Sequence, residues 1–248
     1  MQVASAPQSI HSYKPYPKQV NASDAGIIAS DAIVKAYGKR HDVFIQGDKK
    51  RSVYQVESGL VCLYAIMSDG KRQIFDFAFP GDIIGLGASE TYSYCAQTIG
   101  AARLKSMPFS SLYERAVRDP AFGIILYKAV SKELDATRDL MMTLGQLGAL
   151  KRVATFLLII AKRNALAGES PSILQLPMTR SDIADLLGLT IETVSRSLTS
   201  LRHRKLIAII QNSEIRILDI ERLRNLAELE RDAMPANQSE TSAVGWRH

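Results

Sequence analysis

One segment of the sequence, residues 178–205, restricts the possible folds more than any other. Thr179 and Ser181 are residue types that cap helix N-termini. Gly188 follows a short apolar run and suits the left-handed position that ends a helix. Thr190 is then placed to cap a second helix. Two short helices joined by a tight glycine turn form a helix-turn-helix, so the segment predicts this motif.

The second predicted helix has two faces of different chemistry. Val194 and Leu198 recur at helical spacing and are expected to face the core. The opposite face carries polar side chains that suit base edges in a DNA major groove: Arg196 can donate two hydrogen bonds to guanine, and Glu192 can accept one from cytosine. The same two side chains could instead form an exposed ion pair. The cap, the glycine turn and the apolar face together favour DNA binding.

Basic residues and a predicted β-hairpin follow the second helix. Residues 202–205 form a basic cluster suited to phosphates, and the net charge of +6 is consistent with a polyanionic partner. Two apolar runs, 206–210 and 214–218, flank a polar turn and indicate the wing of a winged helix-turn-helix. The residues predicted to bind DNA are Thr179, Ser181, Thr190, Glu192, Thr193, Ser195, Arg196, Thr199, Arg202, Arg204 and Lys205.

Upstream, from Val43 to Leu112, the apolar residues alternate with a period of two. Three short runs of β-branched and aromatic residues, 53–56, 61–66 and 74–79, each end at a turn that contains glycine. Such a series predicts an antiparallel sandwich or roll. Asp69-Gly70, between two of these runs, predicts a tight hairpin.

Residues 121–150 contain no proline and few helix breakers, and they therefore predict a long helix. Its apolar residues are spaced by four and three, which is a heptad seam. The stripe could pack on the chain's own sheet or against a second copy of the helix, and the spacing alone allows both. A shorter helix, 150–164, follows. The stripe consists of Val130, Leu134, Thr137, Met141 and Leu144.

These patterns divide the chain into five parts. The predicted β-roll domain covers residues 26–120, the long helix residues 121–148, and the winged helix-turn-helix residues 149–230. Residues 1–25 and 231–248 show no apolar period, so they predict a flexible extension and a flexible tail.

Composition and short motifs exclude several classes of protein. With 46% apolar and 23% charged residues the chain can build a core. The sequence contains no apolar run long enough to span a membrane and no secretory leader, so it predicts a cytoplasmic protein. Cys62 and Cys95 are the only cysteines, which excludes a disulfide scaffold and a cysteine-built metal centre. Both lie within strand patterns and predict core residues rather than redox sensors. No P-loop, HExxH or nucleophile elbow occurs, so neither an enzyme nor a metal site is predicted.

Two stretches of the sequence resemble the Crp/Fnr family of transcription regulators. They are Pro80-Gly81-Asp82-Ile83-Ile84-Gly85 and, with higher specificity, residues 179–196. The resemblance implies an α+β chain with an N-terminal antiparallel β-roll like that of cyclic-nucleotide-binding domains, a long dimerisation helix and a C-terminal winged helix-turn-helix. It also implies a homodimer through the heptad stripe, with double-stranded DNA and RNA polymerase as partners.

Within this family the chain is most similar to the FixK group. The cyclic-AMP-binding branch has an Arg-Ser pair in the roll, whereas residues 92–98 here contain no arginine to pair with a cyclic phosphate. The oxygen-sensing Fnr branch holds a cluster on four cysteines, and this chain has two. The resemblance therefore implies an activator without a cofactor that binds TTGA-like palindromes and controls microaerobic and nitrogen-fixation genes.

Two alternatives remain open at this level. A Crp/Fnr-type regulator could instead be gated by haem or a small molecule in the roll, and His41 would then be available as an axial ligand. The hairpin residues Asp69, Gly70 and Lys71 match the position of a polymerase-contacting loop in the family. A solvated charged turn would have the same sequence.

Overall fold

The computed structural model describes residue 28, residues 32–211 and residues 213–228. The predicted extension 1–25 and tail 231–248 lie outside these residues. The first eight strands are β1 (Ile33–Tyr37), β2 (Asp42–Phe44), β3 (Ser52–Ser58), β4 (Val61–Ile66), β5 (Arg72–Ala78), β6 (Ile83–Ile84), β7 (Cys95–Thr98) and β8 (Ala102–Pro108).

These strands form the predicted β-roll from two four-stranded antiparallel sheets. The strand order is β1-β8-β3-β6 in one sheet and β2-β7-β4-β5 in the other. The inward-facing residues of both sheets share one apolar core, which includes Leu63, Ile84 and Leu104. The predicted hairpin joins β4 to β5, and Gly70 adopts a positive φ of 79° at its tip.

A short helix, α1 (Phe109–Arg118), and a long helix, α2 (Pro120–Gln146), follow the roll. The Asp119 carboxylate accepts hydrogen bonds from the amides of Ala121 and Phe122, and proline stands at the first helical position, so α2 begins one residue before the predicted start. Phe122 is buried in the core beneath α1 and anchors the start of α2 to the roll. In the described ranges, no helix is both long enough and apolar enough to cross a membrane.

The C-terminal part contains the predicted winged helix-turn-helix. Its elements are α3 (Ala149–Leu166), β9 (Ile173–Gln175), α4 (Arg180–Leu187), α5 (Ile191–His203), β10 (Ile207–Gln211), β11 (Glu214–Ile217) and α6 (Ile220–Glu228). The wing hairpin β10–β11 is extended by β9 into a sheet of order β10-β11-β9. The sequence reasoning missed α1, β9 and α6, which are short segments of ten, three and nine residues.

The roll and the C-terminal part pack against each other. Ile74 and Phe77 of β5 lie in the same buried cluster as Leu157 of α3. At its edge the Arg163 guanidinium pairs with the Asp82 carboxylate at 3.0 Å, and the two side chains are only 9% and 7% exposed. The contact is therefore a buried ion pair that joins the two halves of the described chain.

Candidate nucleic-acid interface

The first helix of the motif, α4, is capped at both ends by the residues that the sequence indicated. The Thr179 hydroxyl accepts from the amide of Asp182 at 3.1 Å, and the Asp182 carboxylate accepts from the amide of Thr179 at 2.9 Å, which completes a capping box. Gly188 ends the helix in the left-handed region at φ 60°. These contacts determine where α4 starts and where the turn lies.

The second helix, α5, buries its predicted apolar face. The Thr190 hydroxyl caps it by accepting from the amide of Thr193 at 3.2 Å. Val194, Leu198 and Leu201 are at most 2% exposed and pack in the core shared with α3 and α4. Burial of this face leaves the opposite face of α5 turned to solvent.

The solvent-facing side of α5 carries the residues predicted to read bases. Glu192, Ser195, Arg196 and Thr199 are all exposed, whereas Thr193 is half-buried. The remaining polar residue of this stretch, Ser197, is buried, as its position beside the apolar face requires. The exposed side chains span the first two and a half turns of α5, which is the part of a recognition helix that enters a major groove.

A short chain of hydroxyl groups holds the central arginine of this face. The Thr190 and Thr193 hydroxyls lie 3.0 Å apart, and Arg196 Nη2 donates to the Thr193 hydroxyl at 3.3 Å. The pKa of Glu192 is held below its usual value by its own backbone amide, by the Thr190 hydroxyl and by the charge of Arg196. Glu192 is therefore an acceptor and Arg196 a donor at neutral pH, side by side on the exposed face.

The other predicted residues surround this face. Ser181 is half-buried in the first turn of α4, and Arg202 is exposed in the last turn of α5. Arg204 and Lys205 are exposed in the turn that leads to the wing, where Lys205 adopts a positive φ of 57°. The fold thus brings the basic cluster next to the C-terminal end of the recognition helix.

Two arginines that the sequence reasoning did not single out belong to the same region. Arg180 is the first residue of α4, and burial lowers the pKa of its guanidinium. Arg152 lies in the first turn of α3. A cation in the first turn opposes the helix dipole, and this unfavourable placement was the available sequence signal that set both arginines apart.

The roll supports α4 directly. Arg72, at the start of β5, pairs with Asp182 and lies 3.6 Å from the Asp185 carboxylate, and Gln73 donates to the Asp185 carbonyl at 2.6 Å. Burial by itself raises the pKa of Asp182, but hydrogen bonds from Thr179 and Arg72 outweigh it and keep the pKa below its usual value. The carboxylate that caps α4 is therefore charged and tied to the roll.

The heptad stripe lies on the solvent side of α2. Val130, Leu134 and Met141 are 47%, 49% and 68% exposed, Thr137 is also exposed, and Leu144 is half-buried. The stripe does not pack on the chain's own sheet, which was one of the two options that the spacing left open. An exposed apolar stripe of this length is typical of a surface that another chain covers.

The tip of the β4–β5 hairpin is exposed. Lys71 pairs with Asp69 at 3.0 Å, and the amide of Gly70 donates to the Met67 carbonyl at 2.9 Å. Ile66 and Met67, beside the charged pair, are 54% and 52% exposed. The hairpin thus presents charged and apolar groups together.

Aromatic side chains fill the interior of the roll. Phe44 stacks on Tyr92 with ring centroids 3.9 Å apart and lies 5.4 Å from the ring of Tyr94. The Tyr94 hydroxyl accepts from the amide of Gly85 at 2.8 Å. A Cβ on Gly85 would lie 3.2 Å from the Tyr92 ring, and φ there is 82°, so this position favours glycine. The motif at residues 80–85 therefore ends against an aromatic ring.

His41 was the residue that could bind haem, and Cys62 and Cys95 were the residues that could respond to oxidants. His41 is exposed and lies beside Tyr37, with ring centroids 5.3 Å apart. Cys62 and Cys95 are buried. Burial raises the pKa of the Cys62 thiol to about 12, so it remains protonated and unreactive at neutral pH.

Two family models match the two halves of the chain. Residues 34–118 match a model described as "Cyclic nucleotide-binding domain", and residues 151–226 match one described as "Crp-like helix-turn-helix domain". The first covers the roll with α1, and the second covers α3 through α6. The match of residues 34–118 shows that the roll has the fold of cyclic-nucleotide-binding domains.

Curated relatives and a solved structure are similar over most of the chain. The nitrogen fixation regulation protein FixK of Bradyrhizobium diazoefficiens is 41% identical over 75% of this chain and 78% of that protein. FixK of Azorhizobium caulinodans is 34% identical over 83% of this chain and 84% of that protein. The structure of FixK2 from Bradyrhizobium japonicum aligns with a TM-score of 0.74 and 36% identity, covering 79% of this chain and 96% of that one.

Proposed function

The chain belongs to the Crp/Fnr family of transcription regulators, and from this membership we propose that it activates microaerobic and nitrogen-fixation genes at Fnr-type palindromes. It binds double-stranded DNA as a homodimer, with the recognition helix α5 of each copy on one TTGA-like half-site. Its relatives are named transcription regulators, and this chain acts by binding, in the cytoplasm, rather than by catalysis.

The exposed polar face of α5 is the observation that carries this proposal. Arg196 donates two hydrogen bonds to the guanine of the half-site, Glu192 accepts from a cytosine, and Ser195 contacts a base or a phosphate. Thr193 supports the Arg196 guanidinium. The groups around this face, namely Thr179, Ser181, Thr190, Thr199, Arg202, Arg204 and Lys205, contact the DNA backbone or flank the bases.

The sequence of residues 92–98 supports DNA binding without a ligand. A cyclic nucleotide would need a cation to pair with its phosphate. Residues 92–98 contain no arginine. We therefore assign no cofactor to the chain.

The β4–β5 hairpin supports a contact with RNA polymerase. Asp69, Gly70 and Lys71 are exposed, and the apolar side chains of Ile66 and Met67 lie beside them. A charged tip with adjacent exposed apolar groups is suited to a protein partner rather than to solvent alone.

Footprinting and titration with the full-length protein, in air and without added ligand, test the proposal. The probes are a duplex with an Fnr-type palindrome and a matched duplex in which both half-sites are scrambled. We expect binding to the palindrome to be tighter by a factor of about 10³ or more. In a transcription assay on the same palindrome, Lys71→Glu should reduce activation and leave the footprint unchanged.

Three results would contradict the proposal. Equal affinity for both duplexes would exclude sequence-specific binding. A tenfold gain in affinity with cyclic AMP, which is about 1.4 kcal/mol of coupling, would show that the roll is a ligand sensor. A haem absorbance band in the purified protein would show the same for haem.

A further inference from the structure

The Arg152 side chain, in the first turn of α3, bonds to carbonyls at the C-terminal ends of two other helices, α2 and α4. Its Nε donates to the Leu147 carbonyl at 2.8 Å, its Nη2 to the Leu144 carbonyl at 2.7 Å, and its Nη1 to the Leu187 carbonyl at 2.9 Å. Each of these three guanidinium nitrogens thus bonds to a different backbone carbonyl.

The three carbonyls belong to the helices that matter for assembly and for readout. Leu144 lies in the last turn of α2, and Leu147 immediately follows that helix. Leu187 is the last residue of α4, directly before the turn that leads to α5. Carbonyls at helix C-termini lack partners within their helix and carry partial negative charge, so a cation between them satisfies both ends at once.

Arg152 is a direct polar link between the end of α2 and the helix-turn-helix, and it acts beside the contacts that the roll makes with α3 and α4. Only Leu147 and Gly148 separate the two helices, and Gly148 caps α3 without a side chain. In contrast, α4 and α5 are joined tightly by the Gly188 turn and by the caps at Thr179 and Thr190. These contacts make α4 and α5 one structural unit, and the planar fork of Arg152 links that unit to the end of α2.

We propose that Arg152 sets the distance between the two recognition helices of the dimer, and with it the half-site spacing that the protein selects. The inference rests on the proposed function, in which α2 forms the dimer interface and α5 binds a half-site. Half-sites of a dimer lie about one DNA turn apart, so one extra base pair also rotates one half-site by roughly 35°. A recognition helix held rigidly cannot follow that rotation, whereas a loosely held one can.

The test compares the wild type with Arg152→Lys, which keeps the charge and loses the fork. Each protein is titrated with the palindrome, with palindromes whose centre is one base pair longer or shorter, and with a single half-site. We expect Arg152→Lys to lose about tenfold or more on the preferred spacing, as two lost charged hydrogen bonds imply, and little on the other duplexes. Arg222→Lys, in an exposed pair of α6, is the matched control and should keep the wild-type profile.

A second measurement needs no DNA and guards against a merely destabilised variant. A spin label on the exposed position of Asn225→Cys in α6 reports the distance between the two DNA-binding units of the dimer. The label is expected to react only at this position, because Cys62 and Cys95 are 2% and 1% exposed. We expect a narrow distance distribution in the wild type and a broad one in Arg152→Lys.

The outcomes separate this inference from the function on which it rests. An equal loss on every spacing, an unchanged spacing profile, or an unchanged distance distribution would overturn the role of Arg152 while leaving specific binding intact. A wild type that does not distinguish the palindrome from the scrambled duplex would overturn the proposed function, and the spacing role with it.

Discussion

Arg196 and Lys205 are both exposed cations near the same helix, yet they occupy different positions relative to the DNA. Arg196 lies in the second turn of α5, where its guanidinium is oriented by the Thr193 hydroxyl. Lys205 lies beyond the helix, in the turn that leads to the wing. The first position suits a base edge and the second suits a phosphate.

We therefore expect Arg196→Ala to cost about 1–3 kcal/mol per half-site on the palindrome and much less on scrambled DNA. Lys205→Ala should weaken both duplexes alike and lower the salt slope by about one unit per half-site. Titrations of each variant on both duplexes at several salt concentrations provide the measurement. If Arg196→Ala weakened both duplexes equally, Arg196 would be a phosphate contact.

Residue-level features were predictable from the sequence where they are local. The caps at Thr179 and Thr190 and the left-handed Gly188 follow from residue type and spacing within a few positions. The bond of Arg152 to Leu187 and the pairing of Arg72 with Asp182 do not, because these partners lie 35 and 110 residues away along the chain. Only the folded chain brings such residues together.

At the scale of elements, α2 carries the predicted dimer interface. Val130, Leu134 and Met141 of its stripe are exposed apolar residues, and the predicted heptad spacing places the last two of them two turns apart. The long helix was predictable because it is long and periodic. The three-residue strand β9 was not, because so short a segment acquires its structure from pairing with β11.

Substituting both Leu134 and Met141 with aspartate should convert the dimer to monomers, because it places charges in the apolar seam. The monomers should also lose tight binding to the palindrome, since each then contacts a single half-site. Analytical ultracentrifugation of the free protein gives the oligomeric state. A doubly substituted protein that sediments as a dimer would show that the interface lies elsewhere.

At the scale of the whole molecule, one buried ion pair joins the roll to the DNA-binding part. Arg163, near the C-terminal end of α3, pairs with Asp82 and lies over the Phe79 ring with its guanidinium carbon 4.3 Å from the centroid. Asp82 belongs to the motif at residues 80–85, so that motif contributes to the contact between the two parts as well as to the roll.

Arg163→Met should lower the free energy of unfolding by about 3–5 kcal/mol, because it leaves the Asp82 carboxylate buried without a counter-charge. Arg222→Met, which removes an exposed pair of 4.0 Å, should cost at most about 1 kcal/mol. Urea unfolding of both variants measures the difference. Equal, small effects would mean that water reaches Asp82 and that the pair contributes little to the contact.

The exposed apolar stripe of α2, proposed as the dimer interface, has a consequence for the timing of the response. A regulator that waits for a ligand changes its operator occupancy as fast as that ligand binds or leaves. With the proposed binding to DNA in the absence of a ligand, operator occupancy follows the concentration of the chain itself. While monomers predominate, the dimer concentration rises with the square of the chain concentration. Target genes would then switch on steeply as the chain accumulates, and switch off only as fast as growth dilutes it or proteolysis removes it.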